Sequence, residues 1–595
     1  MARTLTFRMR SLGASALLAL GWVVLASNPG EIPSATQEEL AQQRIQYDDD
    51  SPKTILELQR FRTTARAPLR RADGVNGTAI LVNLNPAINT EYLLTLTWSD
   101  SAVRANYHIE NPLPTGGAVR LLAASPDALN LTAANGSSCP LWSHSGGARP
   151  LDDASSSGLP YAPLCAGLLY LRNPVVGHRT SLERITDFLR DHVWQGDRVI
   201  TFVKKELYQD RYLDRGEPAA AAAPTAAGST PQSALVSADS GNQAIVPQRL
   251  AIDIEAEGGL LPGQWYAVRG LEGVTLSVIQ PDSIQRSILT GHEASVNPLT
   301  RIESEALVYL VAFDLQAFDL HFALGTDHPR LDWSDRPPRS AQDPRLPGPD
   351  GIANAAPLIL NGMVSPADAP RTIATFAAGF KRSHGAFKFG PLSENNHGSH
   401  YGFIQDGVVF SKLQPGLSTV FVRDDGHTQL KTWELSDNLL VEHLRYARQN
   451  GVPLIEYDPG TGRGIPGELV NLWGPGNWSG SANEDLRTVR AGLCLQSDSG
   501  RRYLLFAYFS AATPSAMARV FQAYQCSYAM HLDMNALEHT YLALYVRNGH
   551  QTLVEHLVQG MEEVDRESGE QLSPRFLGFP DDRDFFYLTR RAHNP

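Results

Sequence analysis

From Gly74 onward the apolar residues of this chain come in short runs, each cut off by Gly, Pro, Asn or Asp. That punctuation excludes long amphipathic helices as the main building material. Ala79-Ile80-Leu81-Val82 and Tyr92 to Trp98 are the first such runs. Leu307 to Phe313 is continuously apolar, and Phe318 to Leu324 alternates. Further strand-like segments are Arg249 to Ile254, Trp265 to Val268, Val274 to Ile279, Ile373 to Phe380, Tyr401 to Ser411 and Ser418 to Val422. Tyr503 to Phe509, Ala529 to Asp533 and Thr540 to Val546 complete the set. Gly (49) and Pro (39) are frequent enough among 595 residues to supply the turns this requires.

Three segments carry helix signals instead. Thr180 can cap a helix with Glu183 reaching back, and Leu182, Ile185, Leu189 and Val193 form its apolar stripe. Ser436 can start a second helix running to Asn450, stopped by Gly451 before Pro453. Thr513-Pro514 starts a third, with Met517, Val520, Phe521 and Tyr524 facing inward. The expected fold class is α+β and strand-rich.

Composition divides the chain. Residues 1–30 have Arg3, Arg8 and Arg10 before an apolar stretch from Leu12 to Ala26, the pattern of a signal peptide, or of an N-terminal anchor if it is not cleaved. The stretch falls short of the ~20 residues of a spanning helix. Residues 31–72 read as a polar linker or short helix, and 74–215 as a separate strand-rich N-terminal domain of unassigned role. Residues 216–245 are rich in Ala, Pro and Ser and read as a second linker. A second strand-rich domain is expected over 246–595.

Charge and cysteine usage narrow the function. With 51 basic and 63 acidic residues the net charge is -12, and no basic run with interleaved aromatics is present, which argues against nucleic acid as a partner. Cys139 and Cys165 lie in one half, Cys494 and Cys526 in the other. Four cysteines allow three connectivities; proximity favours pairing within each half, in keeping with an exported protein. No C-x-x-C, Walker A, H-E-x-x-H or G-x-S-x-G motif occurs. Gly462 to Gly467 matches G-x-G-x-x-G formally, but Pro466 stands where a helix would open, so it reads as a loop.

Two patches collect functional side chains. Lys381-Arg382-Ser383-His384 follows a strand, with His397 and His400 nearby among glycines; cations and imidazoles there could hold a phosphate or carboxylate, or could be a solvated basic turn. His531-Leu532-Asp533 and Glu538-His539 bracket a strand-turn-strand, and alternation puts His531 and Asp533 on one face. They could equally be a cap and two hairpin charges.

The stretch from about Leu307 to Val546 resembles the phosphodiester glycosidase family. Phe376-Ala377-Ala378-Gly379-Phe380-Lys381 stands where that family has I-N-G-G-F-F, Arg490-Ala491-Gly492 where it has an R-T-A-I-G motif, and His531-Leu532-Asp533 where it has N-L-D. Ala377 replaces the family asparagine, and Met534 to Glu538 replaces the family G-G-G-S-S. The resemblance implies an exported hydrolase cleaving a glycosyl phosphodiester in an envelope glycan or exopolysaccharide. Asp533 would be nucleophile or base, and Glu538 or His384 the acid. Arg490, Lys381 and His400 would hold the phosphate, and Gly379, Phe380 and His531 would shape the pocket. No cofactor or metal is implied, and the membrane enters only through an uncleaved anchor. Two rival readings are a catalytically degenerate envelope protein that binds a glycan or protein, and a metal-dependent hydrolase using His531, Asp533, Glu538 and His539.

Overall fold

The computed structural model describes residues 37–48, 52–113, 117–133, 135–181, 183–184, 210–220, 230–239, 243–327, 339–342, 352, 354–381, 401–472, 486–549, 551–568 and 571–591. Among these the fold is strand-rich, with several sheets and few helices. Most expected strands are present: Val308–Asp314, Phe318–Ala323, Thr372–Ala377, Ser418–Arg423, Arg501–Ala512, Tyr528–Met534 and Leu542–Asn548. Tyr401 to Ser411 splits into Phe403–Gln405 and Val408–Ser411, turning at Asp406-Gly407, where both residues have positive φ.

An eight-stranded sheet has Arg501–Ala512 and Thr488–Asp498 at its centre, antiparallel, with Val308–Asp314 and Tyr528–Met534 outside them. The helix Pro514–Ala523, capped by Thr513 as expected, packs Met517, Val520 and Phe521 inward and is followed by Cys526. The bond Cys494–Cys526 ties that turn to the sheet's central strand, and Cys139–Cys165 closes the N-terminal sheets, so both expected pairs form. A five-stranded sheet beside it runs Phe318–Ala323, Phe585–Arg590, Thr372–Ala377, Leu542–Asn548, Gln551–His556. Its second strand therefore comes from the far end of the chain. A six-stranded sheet holds the N-terminal strands from Thr63–Arg70 to Leu169–Arg172, with its own apolar core.

Several expectations need correction. Residues 436–450 are not one helix: Leu435–His443 is a 3-10 helix and Leu444–Gln449 is a buried strand between Phe403–Gln405 and Ser418–Arg423. Long-range pairing and burial outweigh the local helix signal there. Arg249 to Ile254 makes only isolated bridges, at Leu250 and Ile254. Arg463–Pro466 is an edge strand rather than a loop. The stretch 31–72 contains the helix Gln37–Asp48 and the strand Thr63–Arg70, and its sparse apolar residues Tyr47, Ile55 and Leu58 are buried. Gln59 exchanges two hydrogen bonds with the backbone of Val409, at 2.7 and 2.8 Å, so the segment is a clasp on the second half. Within 216–245, Glu217–Ala219 pairs with Ala244–Val246, and the amide of Leu235 donates to the Ala523 carbonyl. The rest of the Thr180 helix, with its apolar stripe, lies outside the described residues.

Candidate functional site

Four consecutive charged residues, Asp581-Asp582-Arg583-Asp584, are buried, none more than 5% exposed. They sit between Pro580 and the strand Phe585–Arg590, and the backbone fixes them from several sides. Asp581 exchanges backbone hydrogen bonds with Gly362 and Thr326, and the Ala378 amide donates to the Asp584 carbonyl at 3.0 Å. Ionised groups are tolerated at such depth only when paired. Here each finds its counter-charge on a different segment.

Asp581 receives a two-pronged ion pair from Arg575, at 2.8 and 2.9 Å. Burial pushes its carboxyl up, against the pull of that guanidinium. Asp584 is 3.3 Å from Nη2 of Arg448, an arginine with no exposed surface. Asp582 Oδ2 takes Lys381 Nζ at 3.2 Å and Arg179 Nε at 3.0 Å. Its Oδ1 is buried and has no hydrogen-bond partner among the described residues. Arg583 points the other way, donating to Asp533 Oδ2 at 2.8 Å and to Glu183, with His539 Nε2 2.8 Å from its Nη2. The His539 Nδ1 is 2.9 Å from the Met534 carbonyl, so the tautomer with hydrogen on Nδ1 satisfies both contacts.

Glu183 is thus more than a helix cap. The expected capping box forms, with the Thr180 amide on Glu183 Oε2 at 3.0 Å and the Glu183 amide on Thr180 Oγ1 at 3.1 Å. The same carboxylate also anchors Arg583. Burial alone would raise it, but the Arg583 guanidinium outweighs burial and holds it below the ordinary carboxylate range.

The sequence-predicted residues separate into three groups. Asp533 joins this network, but its partner is Arg583, not Arg490, and its Oδ1 accepts the Met534 amide at 2.8 Å. Lys381 joins it through Asp582. Arg490 lies elsewhere: fully buried, it donates to the Ala512 carbonyl at 2.8 Å and the Leu486 carbonyl at 2.9 Å. Burial draws its guanidinium down to about 9. Beside it sits His531, also fully buried, 3.5 Å from Arg490 and edge-on to Phe380 at 4.9 Å between ring centres. Burial, and then Arg490, push that imidazole well below its usual value, so it stays neutral. Arg490 is thus held by backbone carbonyls and His531 by its contacts with Arg490 and Phe380, apart from the Asp533–Arg583 pair.

Gly379 and Phe380 connect the two strand ends. Asn450 accepts from the Phe380 amide at 3.2 Å and donates to the carbonyls of His531 and Leu532 at 2.5 and 2.7 Å. Gly379 has φ +142°, and a Cβ there would lie 2.7 Å from Arg448 Nη1, so the glycine admits the guanidinium. Glu538 is largely buried, and its carbonyl accepts from Arg575 at 2.5 Å. His384, His397 and His400 lie outside the described residues. Among the described residues no group of three His, Cys, Asp or Glu side chains is disposed to hold a metal ion. The cluster His531, Asp533, Glu538, His539 does not converge, because His531 turns to Phe380 while Asp533 and His539 turn to Arg583.

No family model matches this chain, and no curated protein does. Among solved structures it is weakly similar to the catalytic domain of zebrafish N-acetylglucosamine-1-phosphodiester alpha-N-acetylglucosaminidase, auto-inhibited by its pro-peptide. That match has 10% identity and a TM-score of 0.28, and covers 55% of this chain and 85% of the other. A hypothetical protein from Synechocystis is similar at 11% identity and TM-score 0.26, covering 89% and 97%. A Burkholderia pseudomallei protein described as exported is similar at 10% and 0.21, covering 89% and 96%. The two disulfides fit an exported protein. Among the described residues no helix is long and apolar enough to cross a membrane.

Proposed function

We propose that this chain is an exported hydrolase that cleaves a sugar–phosphodiester bond in an envelope glycan or exopolysaccharide, with Asp582 as its working carboxylate. The observation that carries the reading is the state of Asp582. One oxygen is held by Lys381 and Arg179 while the other is buried and unclaimed among the described residues. A carboxylate oriented through one oxygen leaves the second for proton abstraction or attack at an anomeric carbon. The two cations beside it suit the phosphate of the same substrate. Water would add to the anomeric carbon and lose its proton to Asp582, and the bond from that carbon to the phosphate oxygen would break. The products are a free sugar and a phosphomonoester. Phosphate is a good leaving group, so little acid help is required; Glu538 remains the candidate for it.

One observation favours a second reading, a non-catalytic glycan-binding protein: both oxygens of Asp533, the carboxylate the family resemblance points to, are already engaged. Hydrolysis of aryl- and alkyl-phosphodiester sugars, with and without chelator, separates the two. Turnover by the wild type that is lost in Asp582→Asn and reduced in Lys381→Met supports the hydrolase. Absence of turnover across the panel, with binding detected by calorimetry, supports the binding protein.

A further inference from the structure

Sharing no residue with these charges, the N-terminal sheets form a cleft of about 500 Å³ lined by Trp98, Tyr107 and Trp142. That size is within the ~300–1,000 Å³ range of small-molecule sites. The strand Glu91–Trp98 ends in Trp98, the next strand, Ser101–Glu110, carries Tyr107, and Ser138–Ser143 carries Trp142. The two indoles lie 5.8 Å apart between centres, inclined at 42°. Trp142 is 4% exposed and anchors the pair, while Trp98 is only half-buried. Opposite Trp98 in the ladder is Gly77, where a Cβ would fall 2.4 Å from a carbon of the indole. The missing side chain lets the ring lie close on the neighbouring strand, which fixes it before any ligand arrives.

The polar rim has a distinct charge. Arg71 stands 5.2 Å from the Trp98 ring centre, but its guanidinium is already matched by Asp73 at 2.8 Å and Asp100 at 2.6 Å. Asp152, exposed on the cleft wall, is 3.5 Å from the Tyr107 hydroxyl. With three carboxylates, Asp73, Asp100 and Asp152, against the one Arg71 guanidinium, the rim repels phosphates and carboxylates and offers acceptors to hydroxyl groups. Fixed aromatic faces suit a ligand with an apolar flat side. An uncharged pyranose unit has both properties: axial C–H bonds on its faces and hydroxyls around its edge.

We infer that this cleft binds uncharged pyranose units of a glycan and so holds the protein on a polymer. The inference stands apart from the hydrolase reading, because the cleft shares no residue with the Asp582 network. The test is titration of the full chain with neutral hexasaccharides of glucose, mannose, galactose and N-acetylglucosamine, followed by calorimetry and tryptophan fluorescence. Expected is saturable binding of at least one sugar, weakened about tenfold or more in Trp98→Ala. Tyr107→Phe, which keeps the ring, should bind nearly as well as wild type. Near-UV circular dichroism verifies that each variant is folded, and hydrolysis of a soluble aryl substrate, where present, should be unchanged in Trp98→Ala. Failure of every neutral sugar to bind, binding indifferent to Trp98→Ala in a folded protein, or tighter binding of a 6-phosphorylated sugar or a lysine-rich peptide would each overturn it.

Discussion

Asp533→Asn should weaken the fold rather than the chemistry. Both oxygens of Asp533 accept hydrogen bonds, one from Arg583 at 2.8 Å and one from the Met534 amide at 2.8 Å. Asparagine offers one acceptor and one donor, so whichever way the amide turns, an N–H group faces another donor. Breaking a buried ion pair by removing one partner costs about 3–5 kcal/mol. Glu183 still compensates Arg583, which places the expected loss near the lower end, about 3 kcal/mol. Urea unfolding followed by near-UV circular dichroism reads this as a lower midpoint at unchanged slope. A cycle with Arg583→Met and the double variant isolates the pair, and should return a coupling of about 1–3 kcal/mol. A variant within about 0.5 kcal/mol of wild type, or a coupling near zero, would refute the pairing. The folded fraction of Asp533→Asn should keep any hydrolytic activity that Asp582→Asn abolishes.

Three further outcomes are expected. Burial pushes Glu91 up to about 8 and Glu110 to about 7, although both lie against Arg172. Both folded values exceed the ~4.3 of a free glutamate, so their contribution is complete in acid and lost as pH rises through 7 to 8. The melting temperature should fall between pH 6 and 8.5, and Glu91→Gln should flatten that fall; an unchanged pH profile would contradict it. Replacing Cys494 and Cys526 together by alanine should cost about 3–4 kcal/mol on the chain-entropy estimate, and mass spectrometry of the unreduced protein should find neither thiol alkylatable. Gly379→Ala forces a side chain at φ +142° against Arg448 and should cost about 1–3 kcal/mol, measured by thermal melting; a neutral effect would mean that Arg448 is not so placed.

The strands were legible because their signal is local. Leu307 to Phe313 and Ala529 to Asp533 carry the pattern of a buried strand in their own residues, and Thr513-Pro514 writes a helix start in two. The strand Leu444–Gln449 was not legible, since its burial depends on neighbours some 20–45 residues upstream at Phe403–Gln405 and Ser418–Arg423. The charged site failed for the same reason in stronger form. Asp581 to Asp584 reads as a solvated turn until Arg575, Lys381, Arg179 and Arg448 are brought to it from four segments. One local clue was present: the run passes directly into Phe585-Phe586-Tyr587-Leu588, with no Gly or Asn between to turn a solvated loop into a strand. Asp533 was expected to stand beside Arg490; its partner is Arg583, which no local pattern could indicate because it is 50 residues away.

The strand Phe585–Arg590 lies between Phe318–Ala323 and Thr372–Ala377, strands made more than two hundred residues earlier. A chain that leaves a ribosome or an export channel with its N-terminus first must therefore wait, with a slot open in that sheet. Asp581, Asp582 and Asp584 arrive on the piece that fills the slot, so the Lys381–Asp582 and Arg448–Asp584 pairs form late. Synthesis stopped before residue 580 leaves that sheet with an unfilled edge. The charged centre therefore forms only once the strand Phe585–Arg590 has joined two strands that lie more than two hundred residues before it.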